Sequence, residues 1–165
     1  MLPKLVFTDI DGVWTDGGMY YDQSGNEWKK FNTSDSAGVL FLKKLKIPVV
    51  IITGEETSIV ARRAEKLKID FLFQGAKNKL EIAKQLCSDL KIKLSDTAFI
   101  GDDISDIELL KATGISSAPS SSHEYVKKHV KFITQKRGGE GAFREFVEQI
   151  LINEKILDKV LGFQF

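Results

Sequence analysis

Residues 4–12 read KLVFTDIDG, an apolar run that ends in two aspartates and a glycine. The LVF segment has the aliphatic and aromatic content typical of a buried strand. Asp9 and Asp11 then place two negative charges at the point where this strand ends. Because a buried charge is costly unless it is paired or binds a cation, we expect a ligand to require these two side chains.

Short apolar runs recur along the chain, each followed by turn or charged residues. The runs predicted as strands are 4–9, 47–53, 70–73, 97–103 and, more weakly, 114–119. Segments with helical periodicity are predicted at 57–68, 78–90, 104–112 and 142–154. Strands that alternate with helices predict an α/β, Rossmann-like fold with a mostly parallel sheet flanked by helices. In such sheets, ligands bind at the carboxyl ends of the strands.

One segment interrupts this alternation. Residues 14–33 place the turn cluster DQSGN between MYY and EWKKF, which predicts a β-hairpin flap with arms of about ten residues, loops included. Its aromatic residues Tyr20, Trp28 and Phe31 need a surface to pack against, either a neighbouring subunit or the sheet itself. The remainder of residues 1–165 is predicted as a single domain, with an apolar C-terminal tail at 155–165.

Composition narrows the classes of function. The chain has 165 residues, a formal net charge of +1 and 28% charged residues, so it carries no electrostatic footprint for nucleic acid or an anionic membrane. No apolar run is long enough to span a bilayer, and the N-terminus does not resemble a signal peptide. A single cysteine fits a reducing compartment. We therefore expect a cytoplasmic protein with no nucleic-acid or membrane partner.

Polar side chains follow the predicted strands at one common edge of the sheet. These residues are Asp9 and Asp11 after the first strand, Thr53 and Gly54 after the second, Lys79 after the third, and Asp102, Asp103 and Asp106 after the fourth. Three carboxylates in one site, those of Asp9, Asp11 and Asp102, repel one another unless a cation intervenes. Oxygen ligands without histidine or cysteine favour Mg²⁺, which often also binds phosphate oxygens.

This set of residues fits phosphoryl transfer through an aspartyl-phosphate. Asp9 is the predicted nucleophile, and Asp11 the acid that protonates the leaving alkoxide and later the base toward water. Thr53 and Lys79 are predicted to hold the phosphoryl oxygens, and Asp102 to bind Mg²⁺.

The sequence resembles the haloacid dehalogenase superfamily of phosphatases. DIDGVWTDG is similar to its first motif, ITG to the second, Lys79 in QGAKNK to the third and GDDISD to the fourth. The hairpin after TDG, the absence of an inserted cap domain and the late GGEGAFRE resemble the small subgroup that contains 3-deoxy-D-manno-octulosonate (KDO) 8-phosphate phosphatase.

The resemblance implies further properties. Mg²⁺ would bind the Asp9 carboxylate, the Asp11 backbone carbonyl and Asp102, with Asp103 and Asp106 supporting the site and Asp106 pairing with Lys79. Members of this subgroup are tetramers in which the hairpin of one subunit covers the site of the next. The tail would either reach a neighbour's site or be disordered.

One departure from the subgroup bears on the substrate. Its members read TGR with a second arginine eight residues later, whereas this chain reads TGEE, with Glu55 followed by Arg63. Arg63 is predicted to bind a sugar-acid carboxylate. Glu55 accepts hydrogen bonds, so it suits a substrate with additional hydroxyls, unless it simply lies on the surface. Thr33 and Gly54 complete the predicted substrate-binding set.

These residues favour a nine-carbon substrate, 2-keto-3-deoxy-D-glycero-D-galacto-nononate (KDN) 9-phosphate, in the class of sialic acid biosynthesis. KDO 8-phosphate ranks second and N-acetylneuraminate 9-phosphate third. Two remote alternatives are a non-catalytic regulatory domain of this fold and a receiver-like domain. The first would lack Asp9 or Asp11, and the second would carry its phosphoacceptor in mid-chain.

Overall fold

The computed structural model describes residues 1–162. Its strands are β1 (Leu5–Thr8), β2 (Tyr20–Tyr21), β3 (Glu27–Trp28), β4 (Val49–Ile52), β5 (Phe71–Phe73), β6 (Thr97–Ile100), β7 (Ile115–Ala118) and β8 (Phe132–Ile133). Its α-helices are α1 (Asp35–Lys44), α2 (Ser58–Leu67), α3 (Lys79–Asp89), α4 (Ile107–Ala112), α5 (Glu124–Lys127), α6 (Ala142–Asn153) and α7 (Leu157–Leu161). Short 3₁₀ turns cover Leu94–Asp96 and Ile104–Asp106.

Six strands form one parallel sheet in the order β5-β4-β1-β6-β7-β8. Strand β1 lies near the centre, with Val6 opposite Val49 of β4 and Leu5 opposite Thr97 of β6. Since all six strands run the same way, their carboxyl ends share one edge. The predicted α/β fold with a mostly parallel sheet flanked by helices is confirmed.

The sheet is buried on both faces. Successive side chains of a strand point to opposite faces. Leu5 and Phe7 therefore pack with α3, α4 and α5, while Val6 packs with α1, α2, α6 and α7. All four residues of β1 are fully buried, so this strand holds the edge rigidly where Asp9 follows.

Some predicted boundaries were wrong. The strand predicted at 97–103 ends at Ile100, because residues 101–103 turn away to form the site loop. Helix 104–112 begins as a 3₁₀ turn before α4. Helix α1 was not predicted, since its four consecutive apolar residues at 39–42 obscure the helical period. Strand β8 was missed because two residues are too short to show alternation.

The hairpin is smaller than predicted. Strands β2 and β3 have two residues each, with Tyr20 opposite Trp28, and one further bridge joins Thr15 to Phe31 at the base. Phe31 packs against the chain's own core. Trp28 remains 51% exposed and Tyr21 66% exposed. The chain's own core thus covers Phe31, and the packing of the exposed hairpin aromatics on a neighbouring subunit stays a prediction.

The first part of the predicted tail at 155–165 contains a short helix, α7. Helix α7 places Val160 in the core beside α1 and α6. Residues 163–165 of that tail lie outside the described residues. The description of the chain as one domain with a flap and a tail stays a prediction. In residues 1–162, no helix has the length and apolarity that a membrane span requires.

Candidate active site

The carboxyl ends of β1, β4 and β6 surround a cavity of about 300 Å³. Its lining residues are Asp9, Asp11, Gly12, Gly17, Met19, Thr53, Gly54, Glu55, Lys79, Asp102, Asp103 and Ser105. Eight of these were predicted as site residues. A larger cavity of about 620 Å³ lies at the opposite edge of the sheet, and none of the predicted site residues lines it.

Asp9 is held at the end of β1 by the neighbouring strand. Its N–H donates to the Ile100 carbonyl at 3.0 Å, and its Oδ1 accepts from the Ile10 N–H at 2.7 Å. Burial and the nearby Asp106 charge raise the pKa of Asp9 to about 7, against the lowering effect of Lys79. A second cation near Asp9 would lower that pKa and favour the charged form that a nucleophile needs.

Lys79 is the first residue of α3, and its position follows from the helix cap. The Asn78 side chain accepts from the Glu81 N–H at 3.1 Å, which begins the helix there. The Lys79 Nζ lies 2.8 Å from Asp9 Oδ2 and 2.6 Å from Asp106 Oδ1. Burial alone lowers the pKa of Lys79, but the two carboxylates outweigh burial and raise it, so Lys79 is a fixed cation.

Asp106 organises the loop that follows β6. It is fully buried, and its Oδ2 accepts from the N–H groups of Asp102 at 2.9 Å and Asp103 at 3.1 Å. Its Oδ1 accepts from Lys79. The predicted pairing of Asp106 with Lys79 is therefore present in the geometry, and both carboxylate oxygens of Asp106 are occupied.

A metal fits beside the two remaining carboxylates. Oxygens of Asp9, Asp102 and Asp106 lie within 4.8 Å of one another. Burial, followed by the Asp9 charge, raises the pKa of Asp102 to about 8, and a cation bound there would lower it. The glycine at position 12 provides the space that the Asp102 carboxylate occupies, because a Cβ there would lie 1.9 Å from Asp102 Oδ2. An all-oxygen set of this kind fits Mg²⁺.

The Asp11 side chain is not part of this acidic cluster. Its Oδ1 accepts from Lys29 Nζ at 2.7 Å and from the Thr15 hydroxyl at 3.3 Å. The same Lys29 Nζ lies 2.6 Å from Glu55 Oε2. Asp11 is therefore absent from the carboxylate cluster of Asp9, Asp102 and Asp106, and metal binding by its backbone carbonyl stays a prediction.

Lys29 was missed in the sequence. It comes directly after β3, between the exposed Trp28 and the exposed Lys30, and its own side chain is 1% exposed. Alternation along a strand could have indicated that Lys29 faces away from its two neighbours. The sequence could not show that this face meets Asp11.

The turn after β4 supplies the second side of the cavity. Thr53 is 1% exposed, its N–H donates to the Phe73 carbonyl at 2.9 Å, and its own carbonyl accepts from Ala76 at 3.0 Å. Gly54 and Glu55 follow on the exposed rim. Thr53, after β4, and Lys79, at the start of α3, thus line the same cavity as Asp9, and their role in holding the phosphoryl group stays a prediction.

Two predicted substrate-binding residues do not line the cavity of the single chain. Arg63 donates to the Asn32 carbonyl at 3.4 Å, and its guanidinium lies 5.6 Å from the Phe31 ring centroid. Thr33 is exposed at the start of the turn into α1. Both lie beside the base of the hairpin, and their roles stay predictions.

A glycine pair from far along the chain supports the first loop. A Cβ on Gly138 would lie 1.9 Å from the Gly12 carbonyl oxygen, and the Gly139 N–H donates to the Val13 carbonyl at 3.1 Å. Gly139 also has a φ of +75°. Only glycine permits this approach of two backbones, which explains the GG sequence before α6.

The fold and the cluster define a Rossmann-like α/β enzyme with a site for a hard cation and an anion. A family model for haloacid dehalogenase-like hydrolases matches residues 63–145. The chain is 35% identical over 163 residues to the 3-deoxy-D-manno-octulosonate 8-phosphate phosphatase of Haemophilus influenzae, covering 97% of this chain and 91% of the relative.

Solved structures agree with this relationship. The 3-deoxy-D-manno-octulosonate 8-phosphate phosphatase of Moraxella catarrhalis, in complex with magnesium, phosphate and KDO, has a TM-score of 0.93 and 36% identity, covering 97% of this chain and 92% of that one. The cobalt-bound Haemophilus influenzae enzyme has a TM-score of 0.89 and 35% identity, covering 94% and 91%.

The chain therefore belongs to the haloacid dehalogenase-like hydrolases. Within this family it is a phosphoric monoester hydrolase, as the sequence predicted. The resemblance stated from the motifs is confirmed.

Proposed function

We propose that this enzyme hydrolyses the phosphate ester of a sugar acid through an aspartyl-phosphate, with KDN 9-phosphate as the preferred substrate. The observation that carries this choice is Glu55 on the rim of the cavity. Its side chain is 46% exposed, and Lys29 engages Oε2. Its other oxygen accepts no hydrogen bond from residues 1–162 and can therefore accept from substrate hydroxyls, which a nine-carbon sugar acid provides.

Asp9 and Asp11 divide the proposed reaction. In the first half, a carboxylate oxygen of Asp9 attacks phosphorus while the bond from phosphorus to the sugar oxygen breaks, and Asp11 donates its proton to that oxygen. In the second half, Asp11 accepts a proton from a water whose oxygen attacks phosphorus. The bond to Asp9 then breaks and inorganic phosphate leaves.

The remaining residues bind and stabilise. The Thr53 hydroxyl and the Lys79 ammonium hold phosphoryl oxygens as charge shifts among them. Mg²⁺ is the cofactor, confirmed by the acidic cluster and by the magnesium-bound relative, and Asp9 and Asp102 would hold it. When bound, it neutralises repulsion between the carboxylates and the phosphate.

KDO 8-phosphate is the second candidate, and the names of the relatives favour it. N-acetylneuraminate 9-phosphate ranks third, because its acetyl group needs additional room beside Glu55. The reported relatives are phosphatases, which removes the support for a regulatory or receiver-like domain.

Phosphate release with Mg²⁺ tests the ranking, with the three sugar-acid phosphates and simple hexose phosphates compared. We expect KDN 9-phosphate to have the highest kcat/KM, and Asp9→Asn to abolish turnover of every substrate. Glu55→Arg should shift preference toward KDO 8-phosphate, and Glu55→Gln serves as the matched control that retains shape. Preference of the native enzyme for KDO 8-phosphate would contradict the nine-carbon assignment.

We also propose a homotetramer in which the hairpin of one subunit covers the site of another. Exposed Tyr20, Tyr21 and Trp28 form an aromatic surface on the hairpin, next to an open catalytic cavity. Sedimentation equilibrium tests this proposal: Trp28→Ser should weaken the assembly and raise KM for the sugar acid. A monomeric native enzyme would contradict it. The cytoplasmic location stays a prediction.

A further inference from the structure

The Lys29 ammonium belongs to the hairpin but contacts two residues of the site. It lies 2.7 Å from Asp11 Oδ1 and 2.6 Å from Glu55 Oε2, and the Lys29 side chain is 1% exposed. A lysine buried to this degree has lost most of its contact with water. The two carboxylates must replace that hydration.

The backbone on both sides of Lys29 is fixed. Tyr20 pairs with Trp28 before it, and the bridge between Thr15 and Phe31 follows it. Thr15 itself donates to Asp11 Oδ1 at 3.3 Å, and accepts from the N–H groups of Gly12 and Gly17. Two residues at the base of the hairpin, Lys29 and Thr15, therefore both donate hydrogen bonds to Asp11 Oδ1.

These two hydrogen bonds make the two carboxylate oxygens of Asp11 different. Oδ1 receives both hydrogen bonds, whereas Oδ2 is buried and has no hydrogen-bond partner among the described residues. A carboxyl group that transfers a proton needs one oxygen free for the substrate and a fixed plane. The contacts to Oδ1 fix the plane and leave Oδ2 as the oxygen without a hydrogen bond from the described residues.

We propose that Lys29 is a positioning residue that holds Asp11 by Oδ1, so that Oδ2 delivers the proton to the leaving oxygen and Glu55 stays aligned beside it. The inference rests on the proposed role of Asp11 as acid and base. Lys29 touches neither the phosphorus nor the oxygen that leaves. Its ammonium also separates two carboxylates that would otherwise repel each other.

The experiment compares two small phosphates that differ in the need for a proton. Benzyl phosphate releases an alkoxide that must be protonated, whereas p-nitrophenyl phosphate releases a phenolate that leaves without a proton. Neither is a sugar acid, so the comparison does not depend on the proposed substrate. The quantity measured is kcat/KM with Mg²⁺, which reports steps up to release of the alcohol and excludes hydrolysis of the phosphorylated Asp9.

Lys29→Met should lower kcat/KM for benzyl phosphate by about 10²-fold, the order of general acid catalysis, and that for p-nitrophenyl phosphate by less than about threefold. Lys29→Arg should recover most of the loss. Lys30→Met is the matched control, because the adjacent Lys30 side chain is 66% exposed, and it should change neither rate. Asp11→Asn with Lys29→Met should be no slower on benzyl phosphate than Asp11→Asn alone.

An equal loss on both phosphates, or a further loss in the double variant, would overturn the proposal and leave Lys29 as a structural ion pair. Failure of KDN 9-phosphate as a substrate leaves this test unaffected.

Discussion

Lys79 and Lys29 each place one ammonium group between two carboxylates, at nearly equal distances. Lys79 begins a core helix and joins Asp9 to Asp106, whose side chains are 8% and 0% exposed. Lys29 comes from the hairpin and joins Asp11 to Glu55, whose side chains are 29% and 46% exposed. The same ion-pair geometry thus occurs once inside the core and once at its rim.

The difference in exposure between the two bridges indicates two different roles within one site. In the core, low polarity makes each charge depend on its partner, so the first bridge is tied to folding. At the rim, water screens the carboxylates, so the second bridge contributes little to stability and is available to orient side chains. The core bridge therefore joins the loops after β1 and β6 through the first residue of α3, whereas the rim bridge joins the hairpin to the turns after β1 and β4.

The largest expected effect is that of Lys79→Met. It leaves the buried carboxylates of Asp9 and Asp106 without their cation, so we expect the free energy of unfolding to fall by about 3–5 kcal/mol. Urea denaturation without metal measures it. Lys29→Met is the matched variant, and its loss should stay below about 1 kcal/mol. Equal losses from the two variants would erase the distinction between core and rim.

Magnesium binding gives the next effect. The pKa of Asp9 is raised to about 7 and that of Asp102 to about 8, so both carboxyls hold protons at lower pH and the metal must displace them. Mg²⁺ affinity measured by calorimetry should therefore rise between about pH 6 and 9. At a hundredfold excess over Kd, Mg²⁺ should stabilise the fold by about 2.7 kcal/mol.

Two variants test which residues are responsible for the stabilisation by Mg²⁺. Asp102→Asn should abolish the stabilisation by Mg²⁺, while Lys29→Met should retain it, since Lys29 does not contact the acidic cluster. A Mg²⁺ affinity that does not change with pH would show that the carboxyls are already ionised in the free enzyme.

A smaller effect concerns Asp35, a buried carboxyl that no ammonium group contacts among residues 1–162. Burial raises the pKa of Asp35 to about 6, although the Arg144 N–H, at 3.0 Å, and nearby arginine charges lower it. Its stabilising contribution is complete below about pH 4 and is lost as pH rises through 6. Asp35→Asn should therefore raise stability at pH 7 by on the order of 2 kcal/mol.

Denaturation of native and Asp35→Asn proteins between pH 4 and 8 measures the difference. The two proteins should approach equal stability near pH 4 and diverge above pH 6. A variant that is less stable than the native chain at pH 7 would show that the nearby arginines already compensate the Asp35 charge.

The core bridge could be predicted from sequence and the rim bridge could not. Asp9, Thr53 and Asp102 each follow a strand, and parallel strands bring their carboxyl ends together whatever the loops do. Lys79 was located by the same rule. Lys29 depends on the length and twist of a hairpin whose strands have two residues each, and Asp35 on the docking of α6 against α1. These contacts join segments with no shared periodicity.

The contact of Gly138 and Gly139 with the backbone of residues 12–16 orders events during synthesis. The two aspartates and the lysine of the core bridge are all synthesised before residue 110. The backbone on which the first loop rests follows almost thirty residues later. Every charged group of the site is therefore synthesised before the two glycines that support the first loop, so these groups can take their final positions only once residues 138 and 139 have been made.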